Sequence, residues 1–219
     1  TAKNKEKKRI NHSSVVILIG FAATFLAIII SSVGIFRGLE SRSIDWRFKA
    51  RGVIKPQAPV VIVAIDDESF ASMPERWVWP RHFYARLVSN LKKLGAKAVG
   101  FDVIYSEPTA RNPKEDAAFA EAVKKAGNVT LGMAVLYEEN DKGSRTKALL
   151  PIQPLAEAAK SLGLIQHVYD EDTNIRRSYF LVDEGDKRYY SMSAELLSTY
   201  YGLDKTDLVI KDGNACWGK

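Results

Sequence analysis

The hydrophobic and polar positions of the chain divide it into an apolar segment, a charged connector and a long alternating region. Residues 13–36 (SSVVILIGFAATFLAIIISSVGIF) contain no charged side chain. A helix of that length, at about 1.5 Å per residue, reaches roughly 36 Å and can cross a hydrocarbon core. The segment is therefore predicted to be a transmembrane helix. A cleavable secretory signal is the alternative, although the apolar core of such a signal is usually only about 7–15 residues long.

Beyond the connector, apolar runs alternate with amphipathic stretches. The runs at residues 60–65, 98–105 and 129–136 are mostly apolar and predict buried strands. Between them, apolar residues at helical spacing predict helices over residues 83–94 and 115–125. Strands that alternate with helices in this way indicate right-handed β-α-β units and a parallel sheet.

The last third of the chain is predicted to be less regular. Residues 137–150 are polar and predict an exposed loop. Further along, one strand is expected before the acidic turn DEDTN at residues 170–174 and one after it. Helices near residues 155–161 and over residues 193–201, followed by a strand at 208–211, complete the pattern.

The predicted organisation has four parts: a basic tail (1–12), the transmembrane helix (13–36), a juxtamembrane stalk (37–56) and one α/β domain with a parallel sheet (57–219). Five basic residues and one acidic residue in the tail supply +4 of the net charge of +6. A basic cluster beside a membrane helix places the tail in the cytoplasm and the domain outside it. The lipid bilayer is thus an expected partner. The remaining charge of +2 argues against the basic face of a nucleic-acid-binding domain.

Cys216 is the sole cysteine, so the chain cannot form an internal disulfide. An isolated thiol and a bridge between two chains both remain open. No signature of a thiol enzyme accompanies this residue, and no catalytic role is assigned to it.

Acidic residues stand at the ends of the first two predicted strands. Asp66 and Asp67 directly follow the first, and Asp102 lies toward the end of the second. If these strands are parallel neighbours, Asp66 and Asp102 meet at the edge where open α/β sheets bind ligands. The cluster could bind a sensed ligand, or it could cap the next helix and pair with arginines. A Mg²⁺-dependent phosphotransfer site with Asp66 as nucleophile is a further alternative, but position 68 is Glu where such enzymes have a second Asp.

The stretch WVWPR adds two candidate residues. Trp79 is predicted to pack with Pro80 over the strand ends, because two Trp in three residues are costly to expose. Arg81 could pair with Asp66, with Asp102 or with an anionic ligand. Core packing with an internal ion pair is the favoured interpretation.

The turn DEDTN places oxygen-bearing side chains at alternate positions, as a calcium loop does. It departs from that loop at Ile175, where Gly is needed, and at Leu181, where a bidentate Glu is needed. The turn is therefore interpreted as structural. Its acids are expected to pair with the arginines that follow, in the set Asp170, Asp172, Arg176 and Arg177.

Taken together, these motifs resemble the CHASE domain of the second class, the extracytoplasmic sensor of bacterial membrane receptors. The resemblance runs over residues 45–202 and rests on DWRFKAR, VVIVAIDDESF, WVWPR, GAKAVGFDVIYSEP, an acidic residue opening a helix (Glu115 or Asp116) and DEDTNIRR. The motif FDVIYSEP is the strongest, and it contains Glu107, the remaining candidate for ligand binding. The chain lacks the Gly and first Pro of the Gly-x-Trp-Pro-Trp-Pro-Arg element and has Thr173 where the D-x-D-G turn has Gly. The second part of such domains is absent, so we expect the chain to be the first part of a longer protein.

The resemblance implies the periplasmic or extracellular sensory domain of a receptor in the bacterial inner membrane, which responds to an unknown small-molecule or protein signal. It also implies a cytoplasmic output module beyond Lys219: an adenylate or guanylate cyclase first, a diguanylate cyclase or a kinase next. A homodimer is expected because such outputs act in pairs. No catalytic residue, metal or cofactor is assigned to this chain, although a cyclase output would use Mg²⁺ and a nucleoside triphosphate. A membrane-anchored assembly module without a ligand is the other alternative.

Overall fold

The structure is a computed structural model, and it describes the chain except residues 1–11, 33–34, 57–58, 76, 110–111, 141–142, 212–213 and 218–219. The predicted basic tail therefore lies almost entirely outside the described residues. The chain divides into two compact units, Thr1–Ala64 and Ile65–Lys219. Each unit is described by itself.

The first unit contains two helices, α1 (His12–Ser32) and α2 (Ile35–Arg51). Helix α1 covers most of the predicted transmembrane segment, and the side chains of residues 15–29 are exposed. Helix α2 covers most of the predicted stalk and is followed by Gly52, whose φ of 72° is typical of a residue that ends a helix. Within the described part of the chain, no helix combines the length and the apolar character needed to cross a membrane. The transmembrane span stays a prediction.

The strand predicted at residues 60–65 is not observed. Residues 59–66 form no strand, and the side chains of residues 60–63 are exposed, with Ile62 at 86%. The prediction of a buried strand here was wrong because an apolar run supplies only the side chains of a strand. A strand also needs a neighbouring strand for its backbone hydrogen bonds, and the local sequence does not name that neighbour.

The second unit holds five helices and ten strands among its described residues. The helices are α3 (Asp67–Ser72), α4 (Arg81–Lys93), α5 (Pro113–Ala126), α6 (Gln153–Ala158) and α7 (Met192–Tyr201). The first four strands are β1 (Val99–Phe101), β2 (Val129–Asn140), β3 (Gly143–Leu149) and β4 (Ser161–Leu164). The others are β5 (His167–Tyr169), β6 (Ile175–Ser178), β7 (Leu181–Glu184), β8 (Lys187–Tyr190), β9 (Leu208–Lys211) and β10 (Asn214–Trp217).

A parallel sheet forms the centre of this unit. Strand β2 lies between β1 and β4 and is parallel to both. Residues 129–135 are all buried, and Leu131 and Met133 belong to two apolar clusters, as is typical of a central parallel strand. The predicted α/β fold with a parallel sheet is confirmed.

Most of the segment 137–150, predicted to be a loop, is instead strand: residues 137–140 belong to β2 and residues 143–149 form β3. The outer half of β2 pairs with β3 in antiparallel register, from Ala134 opposite Leu149 to Asn140 opposite Gly143. The prediction was wrong because polar side chains do not prevent a ladder of backbone hydrogen bonds between two strands. Three further antiparallel pairs follow: β5 with β6, β7 with β8, and β9 with β10.

Helix α5 shows how local sequence defines an element. The Asn112 side chain accepts a hydrogen bond from the Lys114 backbone N–H at 3.1 Å, and Pro113 occupies the first turn. The helix ends at Gly127, whose φ of 68° is left-handed. An Asn cap and a first-turn proline are both typical of the start of a helix.

Helices cover both faces of the parallel sheet. Helices α4, α5 and α6 share one apolar core with the sheet, which includes Val88, Phe119, Leu131 and Leu155. Helix α7 packs against β1 and β4 at two glycines. A Cβ atom on Gly163 would lie 2.7 Å from the Met192 Cα atom, and one on Gly100 would lie 2.9 Å from Leu196 Cδ1. The helix approaches the sheet this closely because both positions lack side chains.

Candidate functional site

Arg81 is a buried site residue with partners in two other segments of the chain. It begins α4 and is only 7% exposed, and its Nε donates to Asp116 Oδ1 at 3.1 Å. Its Nη2 donates to the Glu107 carbonyl oxygen at 3.1 Å, and its guanidinium carbon lies 4.5 Å from the centroid of the Tyr105 ring. A carboxylate, a carbonyl and an aromatic face therefore compensate for the burial of this charge.

The first turn of α5 supplies two carboxylates that join neighbouring segments. Glu115 Oε2 accepts the backbone N–H of Arg81 at 2.8 Å, which satisfies a donor at the start of α4 that Pro80 cannot cap with a side chain. Asp116 Oδ2 accepts the backbone N–H of Thr109 at 2.8 Å. The group Arg81, Glu107, Glu115 and Asp116 thus connects the amino ends of α4 and α5 with the segment after β1. We call it the arginine hub.

Two tyrosines lie beside the hub in the core. Tyr105 and Tyr84 pack edge to face, with ring centroids 5.5 Å apart. Both hydroxyl oxygens are buried, and neither forms a hydrogen bond with a described residue. Burial raises the pKa of Tyr105 strongly, and the nearby Tyr84 raises it further. Burial also raises the pKa of Tyr84, against the opposing effect of Arg81. Both phenols are therefore neutral at physiological pH.

The predicted acids occupy other positions. Asp66 caps α3: its Oδ1 accepts the backbone N–H of Ser69 at 3.0 Å and the Ser69 hydroxyl at 2.8 Å. The backbone hydrogen bond from Ser69 lowers the pKa of Asp66, and the hydroxyl lowers it further. Asp67 is exposed in the first turn of α3, and Asp102 is exposed just after β1.

The predicted pairing of Arg81 with Asp66 or Asp102 was wrong. Arg81 pairs with Asp116 instead, 35 positions along the chain. The expectation depended on residues 60–65 joining the sheet next to β1, which would have brought Asp66 to the sheet edge. That strand is not observed, and the carboxylates that bond Arg81 come from α5.

Trp79 packs against the hub side of the core. It is 7% exposed, and its Nε1 donates to the Glu75 carbonyl oxygen at 3.1 Å. Its ring contacts those of Phe70 and Trp77. The expectation that Trp79 covers the core is consistent with this burial. Glu107 takes part in the hub through its carbonyl oxygen, while its side chain is exposed.

The structure brings together the four residues of the acidic turn. Arg176 Nη1 lies 2.9 Å from Asp170 Oδ2, and Arg176 Nη2 lies 2.7 Å from Asp172 Oδ2. Arg177 also pairs with Asp170. The hydrogen bond from Arg176 is the main reason that the pKa of Asp170 and of Asp172 lies below its ordinary value. Thr173, at the position where the family pattern has Gly, has a φ of 64°.

Sequence reasoning missed Asp116 as the partner of Arg81. The signal in the sequence was the pair of acids at the start of α5, Glu115 and Asp116, which the sequence offered only as part of a family motif. Among the residues that the structure describes, no group of three or more His, Cys, Asp or Glu side chains is arranged to hold a metal ion. The hub can therefore be described chemically as an internal ion pair that holds three segments in one arrangement.

Comparison with known proteins adds one match. Residues 21–215 match the family model described as the CHASE2 domain, a sensory extracellular domain. Neither a curated protein nor a solved structure matches the chain. The matched range covers most of the 219 residues, includes the arginine hub and agrees with the resemblance carried by the sequence motifs. The chain belongs to the CHASE2 domain family.

Proposed function

We propose that this chain is the extracytoplasmic input part of a bacterial transmembrane receptor. The observation that carries the proposal is the CHASE2 match over residues 21–215. The charge of the tail and the uncharged segment 13–36 support a cytoplasmic N-terminus and one membrane span. The domain after residue 57 then lies in the periplasm or outside the cell and detects a signal there.

The receptor's output lies on a cytoplasmic module outside these residues. An adenylate or guanylate cyclase is the first candidate, and a diguanylate cyclase or a kinase is the second. These modules act in pairs, so the receptor is a homodimer. A signal changes the output only if it binds two states of the domain with different affinity.

The location of the domain can be tested with the single native cysteine. Cys216 is exposed, so a maleimide that cannot cross membranes should label it in intact spheroplasts. A matched variant with Cys216→Ser and Lys5→Cys moves the thiol to the basic tail. That variant should react only after the membrane is permeabilised. Labelling of the tail but not of Cys216 in intact cells would reverse the proposed topology.

The output can be tested on the full receptor in membrane vesicles. Formation of cyclic AMP, cyclic GMP or cyclic di-GMP and phosphorylation of the receptor are measured in parallel with Mg²⁺ and nucleoside triphosphate. We expect a cyclase activity. Arg81→Met, which removes the ion pair of the hub, should change that output. A receptor with no activity in any of the four assays would contradict the proposed output.

A further inference from the structure

An exposed segment at the end of α2 combines large apolar side chains with basic ones. Every residue from 46 to 55 is exposed. The apolar side chains of this segment leave more than half of their surface uncovered, and they are Trp46, Phe48, Val53 and Ile54. Single exposed apolar residues are ordinary on a protein surface, whereas a group of them in one short segment indicates an interaction surface. We call residues 46–55 the basic segment.

The charge of the basic segment has one sign. The sequence has no acidic residue between Asp45 and Asp66. The basic residues of the segment are Arg47, Lys49, Arg51 and Lys55. Within the part of the chain that the structure describes, none of these four side chains forms an ion pair. Four cations without an internal counter-charge favour an anionic partner.

The basic and apolar groups share one surface. The guanidinium carbon of Arg51 lies 4.5 Å from the centroid of the Phe48 ring. Arg47 is four residues before Arg51 and lies on the same face of the helix; its Nε donates to the Ser43 carbonyl oxygen at 3.3 Å, which leaves its charge unneutralised. A partner for this surface must therefore offer anionic groups and an apolar phase next to each other. The boundary between the headgroups and acyl chains of a bilayer offers both, and it is also where Trp rings and the apolar stems of Arg and Lys are favoured.

The position of the basic segment favours a bilayer over a protein as this partner. Trp46 follows the uncharged residues 13–36 by about ten residues, or about 15 Å along a helix. The headgroup layer on one side of a bilayer is roughly 5–8 Å thick. Helix α1 ends at Ser32 and α2 begins at Ile35, so the two helices are separate elements. An α2 that is inclined to the bilayer normal brings the basic segment to the headgroups.

We propose that the basic segment binds the extracytoplasmic surface of a bilayer that contains anionic phospholipids. The guanidinium and ammonium groups pair with lipid phosphates, and the rings of Trp46 and Phe48 enter the interface. This inference rests on the proposed membrane span, because the span delivers the segment to that surface. It gives the receptor a second attachment to the membrane, which holds the stalk against the bilayer.

The test compares the full chain in nanodiscs of phosphatidylglycerol with the full chain in nanodiscs of phosphatidylcholine. Lysines are acetylated with a lysine-reactive ester and quantified by mass spectrometry. Lys49 and Lys55 should react severalfold more slowly in the anionic lipid, and added salt should reduce this difference because it screens the attraction. Lys93 and Lys187 are exposed elsewhere and should react equally in both lipids. Equal reaction of Lys49 and Lys55 in the two lipids, or an equal slowing of all four lysines, would overturn the proposal.

A charge variant separates binding from simple nearness to the bilayer. Arg47→Gln combined with Arg51→Gln removes two of the four charges and keeps the apolar side chains. In phosphatidylglycerol this variant should lose most of the protection of Lys49 and Lys55. The matched control is Arg86→Gln, at an exposed arginine of α4, which should keep the protection. Full protection in the double variant would show that the segment is near the lipid only because the span is adjacent, and the proposal would be wrong.

The apolar contact is tested by quenching of tryptophan fluorescence with lipids that are brominated on their acyl chains. Trp46→Phe should remove most of the quenching seen with the native chain. Trp77→Phe, which alters another exposed tryptophan, should leave most of it. Quenching that is lost with Trp77 and kept without Trp46 would overturn the insertion of the basic segment.

Extraction of the membranes at alkaline pH distinguishes this inference from the proposed function. If the chain resists extraction while Lys49 and Lys55 react equally in both lipids, the span stands and the lipid-binding segment is wrong. If the chain is extracted but phosphatidylglycerol vesicles still protect the two lysines, the segment binds lipid and the proposed span is wrong.

Discussion

Two apolar runs of the chain look alike in sequence and differ completely in structure. Residues 60–65 and residues 129–136 were both predicted to be buried parallel strands. Every residue from 129 to 135 is buried, at the centre of a sheet with neighbours on both sides. The earlier run pairs with no strand, and its valines and isoleucines are exposed. The difference teaches that a hydrophobic run gives the capacity to form a strand, while a partner edge and covering helices decide whether the strand forms.

The largest expected effect comes from the ion pair of the arginine hub, which connects α4 and α5. Arg81→Met leaves the Asp116 carboxylate buried without its cation, and we expect the free energy of unfolding to fall by about 3–5 kcal/mol. Denaturant unfolding followed by tryptophan fluorescence measures this change. The matched control is Arg81→Met combined with Asp116→Asn, which removes the second charge and keeps an oxygen that can accept the Thr109 N–H. Removing both charges should restore most of the loss, and failure to do so would show that packing of the arginine matters more than its charge.

The packing of residues 129–135 in the apolar core is tested by Leu131→Ala. Leu131 is 0% exposed, in the middle of β2 between Phe101 and Leu162. Loss of its side chain should leave a cavity and lower the free energy of unfolding by about 3 kcal/mol. The same unfolding assay applies. A loss well below about 1 kcal/mol would mean that β2 is not the centre of the core.

The contact on the other face of the sheet is tested by Gly163→Ala. The added methyl group would meet the Met192 backbone, which cannot move without shifting α7. We expect a loss of about 1–3 kcal/mol in the free energy of unfolding. Gly38→Ala adds the same group in α2, where no atom lies within 4 Å, and should not destabilise the protein. Equal effects at the two positions would refute the close approach of α7.

A smaller, pH-dependent effect is expected in the acidic turn. Arg176 lowers the pKa of Asp172, so the folded-state value lies below the unfolded one. The stabilisation is present above about pH 4 and is lost as the pH falls below that value. Asp172→Asn should therefore melt at a slightly lower temperature than the native chain at pH 7, and the difference should begin to narrow as the pH falls below about 4. Asp186→Asn, at an exposed acid without an ion pair among the described residues, should show no such narrowing.

The smallest effect is expected in the exposed run. Ile62→Ala should change the free energy of unfolding by no more than about 0.5 kcal/mol, because Ile62 is 86% exposed. The comparison with Leu131→Ala in the same assay measures the difference between the two runs directly. A loss as large as that of Leu131→Ala would show that residues 60–65 are buried in the protein under the conditions of the experiment.

The parts of the fold that follow from the sequence are those with local causes. Helix α5, predicted over residues 115–125, begins directly after the Asn112 cap and ends directly before Gly127, because a cap acts within one turn. The parallel sheet followed from the alternation of strands and helices. The hairpin of β2 and β3 did not, since polar residues in a hairpin resemble those of a loop until the pairing is known.

The candidate site depended on contacts between distant positions. The sequence suggested an ion pair for Arg81, but its partner follows from the packing of α4 on α5. The environment of Asn128 was not predicted either. Its Nδ2 donates to the Ala96 carbonyl oxygen, and its buried Oδ1 has no hydrogen-bond donor among the described residues. No pattern of residue types reports such a feature.

Strand β2 changes partners within a single step of the chain. Met133 pairs with Leu164 of β4 in parallel, and Ala134 pairs with Leu149 of β3 in antiparallel register. The side chains of residues 136–137 are exposed. In evolutionary terms, a hairpin that extends beyond the parallel sheet is the part of the domain whose length can change without altering that sheet. We expect relatives to gain or lose residues there in pairs, because an even change keeps each remaining side chain on its own face.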